Sequence, residues 1–136
     1  MAEKFRLEVV TPTRLLVSEE VEEVTAPGLE GEFGVLPGHT PFLTALGVGE
    51  LVYRRGGEHH YAAMCRGFAE VKHEKVTILA EDAEFAHEID VSEAEAVKTA
   101  AEKEIEGLSH DSKEYLEAQA RLERAMNRIH VASRRK

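Results

Sequence analysis

The spacing of apolar residues changes once along the chain, close to Ile89. Before that point they come in short alternating runs. Phe5, Leu7 and Val9 interleave with Arg6 and Glu8, the period of two that puts one strand face in a core and the other in water. Similar runs occupy residues 15–17, 21–26, 33–36, 42–46, 50–53, 61–65, 68–72 and 75–80. Turn residues separate them, and all four prolines and every glycine except Gly107 fall in this half. Closely spaced strands without intervening helices predict an antiparallel sandwich or barrel and not βαβ units. Gly56-Gly57, between two such runs, predicts a tight hairpin, because glycine reaches positive φ at little cost.

Beyond Ile89 the period becomes helical. Asp90 or Ser92 can cap a helix whose first turn carries Glu93 and Glu95. Val97, Ala101 and Ile105 recur at i, i+4 and i+8, a narrow stripe that predicts one packed face. Gly107 predicts the end of this helix and Ser109-His110-Asp111-Ser112 the connection. A second helix is predicted over residues 113–133, with Tyr115, Leu122 and Ile129 seven apart and Leu116, Ala118, Ala125, Met126 and Ala132 widening the same face. The short connection makes the pair an antiparallel αα-hairpin. The predicted class is therefore α+β: an N-terminal antiparallel β-sandwich over residues 1–86 and a C-terminal two-helix hairpin over 87–136.

Composition removes whole classes of function. Against 17 Lys and Arg stand 26 Asp and Glu, a formal charge of −9, which opposes nucleic-acid binding because duplex affinity rests on neutralising phosphates. No apolar run approaches the ~20 residues of a membrane span, so any membrane association is expected through partners. The segment Met1-Ala2-Glu3-Lys4-Phe5-Arg6 lacks the apolar core of a signal peptide, and a lone cysteine, Cys65, fits a reducing compartment. Charge is uneven along the chain. Residues 121–136 carry Arg121, Arg124, Arg128, Arg134, Arg135 and Lys136 against Glu123 alone, a net +5. On the residues alone, that tip is either a local electrostatic device that seeks an acidic surface or a solvated helix end with cations at the negative end of its dipole.

Catalytic chemistry finds little support. None of the five serines sits in a Gly-x-Ser-x-Gly elbow, and Cys65 lies between Met64 and Arg66 on an apolar strand with no base marked to activate it. His59 and His60 adjoin on a strand, so they point to opposite faces, and no His-x-x-x-His or Cys-x-x-Cys spacing exists. No catalytic residue, metal site or cofactor is expected. Gly28-Leu29-Glu30-Gly31-Glu32-Phe33-Gly34 lacks the Gly-Lys-Ser/Thr ending of a phosphate loop, and its two glutamates would repel phosphate. What stands out is the stretch from Gly31 to Leu46, whose glycines and prolines fix the backbone closely. Such a stiff loop displays Glu32 and His39, a plausible docking surface or simply a solvated turn.

The same stretch carries a resemblance. Glu30-Gly-Glu-Phe-Gly-Val-Leu-Pro-Gly-His-Thr-Pro-Phe-Leu-Thr-Ala-Leu46, then Gly67-Phe-Ala-Glu-Val71 and Val76-Thr-Ile-Leu-Ala-Glu-Asp-Ala83, is similar to the epsilon-subunit family of the F-type ATP synthase, and the likeness extends through the acidic-to-basic hairpin. It implies a non-catalytic central-stalk subunit with a sandwich of about ten strands. That sandwich would sit at the foot of gamma and touch the ring of c subunits through Glu32 and His39. It implies a hairpin that packs down or extends into the alpha/beta head to block ATP hydrolysis. Arg121, Arg124 and Arg128, at i, i+3 and i+7, and Arg135 seven further on, would then face an acidic segment of the beta subunits. Location at the cytoplasmic face of a bacterial plasma membrane, peripherally, would follow. Some members bind ATP at Ile/Leu-Asp-x-x-Arg-Ala; here Ile89-Asp90-Val91-Ser92-Glu93-Ala94 keeps Asp90 but has Glu93 for the arginine, so ATP binding is expected to be weak or absent. The alternative reading is a ligand-binding β-sandwich module whose hairpin dimerises.

Overall fold

The computed structural model describes residues 3–135. Two compact units divide at Phe85 and Ala86. The first holds eight strands: β1 (Phe5–Val10), β2 (Leu15–Val21), β3 (Glu23–Gly28), β4 (Gly31–Val35), β5 (Phe42–Leu46), β6 (Gly49–Arg55), β7 (Glu58–Val71) and β8 (Lys75–Phe85). The second holds a short 3-10 turn (Ala86–Glu88) and helices α1 (Val91–Glu106) and α2 (Lys113–Ala132).

Eight strands instead of about ten is a difference with a geometric cause. The runs expected at 61–65 and 68–72 are one strand, β7, and β8 continues past Ala80 to Phe85. Each long strand serves both layers. The 67–71 half of β7 pairs with β5 and its 58–64 half with β6. One layer therefore runs β2-β1-β8-β7-β5 and the other β8-β7-β6-β3-β4, five segments each. At the corner the inward set changes phase: Ala62 and Met64 are buried before it, Ala69 and Val71 after it. On β8, Val76, Ile78 and Ala80 give way to Ala83. The β7–β8 register passes from Cys65↔Asp82 to Gly67↔Ala80 without a shift. Arg66, the one non-glycine at positive φ (42°) among the described residues, makes the bend that lets both strands keep facing the core.

The pairings are antiparallel except one. β1 and β8 run parallel, Leu7 beside Val76 and Val9 beside Ile78, a departure from the all-antiparallel expectation. Most of the unit's chain separates these two strands, which is the long crossover that parallel neighbours need. Leu7, Leu46, Leu51 and Ile78 are fully closed inside, beside the larger and nearly closed Phe5 and Tyr53, and each of these aliphatic side chains contributes about 1.5–3 kcal/mol by leaving water. The expected run at 21–26 is broken at Glu22, where the chain leaves β2 for β3. Glu22 accepts from Arg54 Nε at 3.2 Å and from the Gly57 N–H at 3.3 Å, so the acidic tract is tied to the β6–β7 hairpin. That hairpin turns on Gly56 (φ 59°) and Gly57 (φ 82°), as the glycine pair predicted.

Candidate interaction surfaces

In the sandwich unit, the loop that displays Glu32 and His39 is built on an aromatic ladder. Glu32 lies on β4 opposite Pro27 and is exposed. His39 follows Gly38, whose φ of +80° turns the chain, and its N–H donates to the Leu36 carbonyl at 3.2 Å. The His39 ring meets Phe42 edge-on at 5.4 Å, and Phe42 meets Phe33 edge-on at 5.5 Å. Phe33 and Phe42 pack against the core, so His39 is held by the fold itself. Leu29, three residues before Glu32, and Leu36, three before His39, stand exposed. The surface is therefore mixed: apolar knobs beside an acid and an imidazole.

A second surface on this unit is formed by strands distant in sequence. Cross-strand pairing lines up Leu15, Val10, Leu79, Phe68 and Ala45 in one row over five strand segments. Their neighbours Leu16, Val9, Ile78, Ala69 and Leu46 pack in or against the core, so this row points out. Leu15, Phe68 and Leu79 are 57%, 57% and 54% exposed. The next row outward is Ser18, Glu8, Thr77, Glu70 and Leu43, where Lys75 holds Glu8 by an ion pair of 2.9 Å and keeps its carboxyl below the usual value. A single exposed leucine is ordinary; an apolar band across five strand segments is the kind of surface that interaction sites present. Runs such as Leu15-Leu16-Val17 and Ile78-Leu79-Ala80, apolar on both faces of a strand, were the available sign.

The helical unit is closed by a seam of small residues. Ala94 and Ala101 of α1, and Ala118, Ala125 and Ala132 of α2, are buried at intervals of seven. Val97 and Ile105 flank the seam half-exposed, as do Tyr115, Leu122 and Ile129. Leu116 and Met126, expected on the packed face, are 59% and 51% exposed, because at ~100° per residue Leu116 falls nearly opposite Ala118 on the helix and Met126 about a quarter turn from Ala125. Both helix starts are capped. Asp90 accepts from the Glu93 N–H at 3.0 Å, and Ser112 from the Tyr115 N–H at 3.1 Å. In the connection the Ser109 hydroxyl donates to Asp111 and holds that acid below its ordinary value.

The four arginines expected on one stripe do not share one environment. Arg128 Nη1 donates to Glu93 Oε1 at 3.1 Å, and Arg121 Nη2 to Glu104 Oε2 at 2.6 Å, so both reach across to α1. Arg124 is exposed on the same helix. Arg135 lies beyond the Ser133 cap of α2, so the helical stripe stops short of it. At the candidate nucleotide position, the Asp90 carboxylate serves as the cap and Glu93 is engaged by Arg128. Among the described residues there is no cluster of three or more His, Cys, Asp or Glu able to hold a metal, and no helix long and apolar enough to cross a membrane.

Both units have counterparts in known proteins. The beta-sandwich domain of the ATP synthase Delta/Epsilon chain matches residues 4–86, and the long alpha-helix domain of the same chain matches residues 87–133. The ATP synthase epsilon chain of Citrifermentans bemidjiense is 50% identical over 134 residues, 98% of this chain and 97% of that one. That of Geobacter metallireducens is 49% identical over the same shares. Among solved structures, a chain from the Euglena gracilis mitochondrial ATP synthase (OSCP/F1/c-ring, rotational state 1) matches with a TM-score of 0.80 at 26% identity, covering 91% of this chain and 78% of that chain. A chain of the Tetrahymena thermophila mitochondrial ATP synthase central stalk and c-ring shares the fold, with a TM-score of 0.61 at 14% identity over 96% of this chain and 97% of that chain.

Proposed function

The chain belongs to the ATP synthase delta/epsilon family, and from that premise we propose that it works as the epsilon chain of a rotary ATP synthase: a non-catalytic subunit of the central stalk that helps couple rotation to ATP synthesis and restrains ATP hydrolysis through its helices. The observation that carries the docking half of this reading is the apolar row Leu15, Val10, Leu79, Phe68 and Ala45. We assign it to the gamma subunit. A shaft that turns under load needs a broad apolar contact that sheds water, and this row is the widest such surface described on the sandwich. The Glu32–His39 loop is assigned to the c ring. Its aromatic ladder supports that role, since a torque-bearing contact must not yield, and Glu32 can pair with a basic ring residue.

The helical unit is assigned the regulatory part. Extended into the alpha/beta head, α2 would present Arg121, Arg124 and Arg128, with Arg135 beyond its end, to an acidic segment of the beta subunits. The largely alanine seam supports a hairpin with two states, because methyl groups bury less apolar surface than leucines would and so narrow the free-energy gap between closed and open forms. No nucleotide is assigned to it, since Asp90 and Glu93 are both engaged within the hairpin. The chain is then peripheral, held at the cytoplasmic face of a bacterial plasma membrane by its partners. The competing reading, a ligand-binding module that dimerises through its hairpin, has no support in the full-length likeness to epsilon chains.

Pull-down with purified gamma tests the reading. Phe68→Glu with Leu79→Glu should leave the circular dichroism of the isolated chain unchanged, since both side chains are more than half exposed, and should weaken gamma binding at least about tenfold. Unchanged binding by a folded double variant would remove the row as the dock.

A further inference from the structure

Two arginines of α2 are engaged by the chain's own carboxylates. The Arg128–Glu93 and Arg121–Glu104 pairs join residues 35 and 17 positions apart, so they exist only while α1 and α2 lie side by side. Beneath them the buried set is mostly alanine, with Val131 the one larger buried side chain on α2, and a single methyl supplies far less adhesion than the leucine of an ordinary bundle. Where burial is that slight, charge has proportionately more say in whether the hairpin stays shut. Glu104 makes the point most clearly. It sits in the last turn of α1, where the helix dipole disfavours an anion, and the Arg121 guanidinium offsets that cost.

We propose that Glu93 and Glu104 form an electrostatic latch: they hold the hairpin closed and occupy Arg128 and Arg121, so that an acidic partner surface gains these arginines only by displacing the chain's own carboxylates. α1 thus stands in for the partner. Opening the hairpin and freeing the cations become one event, and salt that screens the latch favours that event. The proposal rests on the reading above in one respect, that the released arginines meet an acidic surface of the head. Closure of the hairpin by these pairs does not depend on it.

Spin labels placed at the exposed positions 102 and 123, in a full-length chain carrying Cys65→Ser, read the separation of the helices by pulsed electron resonance. Glu93→Gln with Glu104→Gln should raise the open fraction roughly threefold to tenfold at low salt, and 0.5 M NaCl should do the same to the unaltered chain. The exchange Glu93→Arg with Arg128→Glu should restore closure relative to either single change. An unchanged distance distribution in the double glutamine variant, or an exchange no better than its parts, overturns the latch. In the assembled ATPase the glutamine variant should hydrolyse ATP more slowly than the parent, because the arginines reach the head more readily. An open hairpin with unaltered hydrolysis would support the latch and overturn the assignment of the arginines to the head.

Discussion

Gly67 approaches Leu79 so closely that a Cβ built on it would lie 1.8 Å from the Leu79 carbonyl oxygen. The obstruction is backbone, so no rotamer change relieves it. Gly67→Ala is expected to cost about 3 kcal/mol or more, because β7 and β8 must separate at the corner where both change layer. Gly107→Ala is the internal comparison: nothing lies within 4 Å of that added methyl and φ is −98°, so its midpoint should move little. Urea titration of both variants measures the difference. Equal stabilities would show that the corner relaxes freely.

Tyr53 sets the behaviour at high pH. Burial, with the Glu19 carboxylate beside it, pushes its phenol up to about 12 from an ordinary 10. A raised value means that the folded state keeps its proton while the unfolded state has lost it. The stabilisation is therefore complete below pH 10 and fades between about 10 and 12. Absorbance of tyrosinate should show one late-titrating phenol, absent in Tyr53→Phe, and the variant should lose less stability over that interval. A late phase that survives the substitution would reassign it.

The local features were legible in the sequence. Of the two caps offered for α1 the structure uses Asp90, Gly107 ends that helix as expected, and Ser112, the last residue of the expected connection, caps α2, while Gly56-Gly57 makes the turn that two positive φ values require. What failed to show depends on partners distant in sequence. The merging of two runs into β7 turns on a bend at Arg66, a residue with no intrinsic preference for positive φ. The parallel β1–β8 pair and the apolar row exist only once strands from both ends of the unit are in register. Leu116 and Met126 are apolar but lie off the stripe of Ala118, Ala125 and Ala132, so apolarity without the helical angle misplaces them. At the candidate sites, loop stiffness singles out Glu32 and His39, and the structure puts Glu32 at the surface and His39 against Phe42. The pairing of Arg128 with Glu93, by contrast, spans 35 residues and leaves no local trace.

Asp90 separates capping from nucleotide binding. Asp90→Ala removes the acceptor for the Glu93 N–H and should destabilise the hairpin by about 1 kcal/mol, read as lost helical ellipticity on heating. The unaltered chain should bind ATP no more tightly than about 1 mM by calorimetry. Micromolar affinity, lost in Asp90→Ala, would mean that the carboxylate serves a ligand as well as the helix.

The division of labour between the units is tested most directly by ATP hydrolysis in the assembled synthase carrying a chain that stops after Ile89. If the sandwich docks and the helices restrain, the truncated chain still co-purifies in equal amount with gamma, rotation stays coupled to ion flow, and the hydrolysis rate rises severalfold. A complex of normal composition whose hydrolysis rate is unchanged would contradict the account.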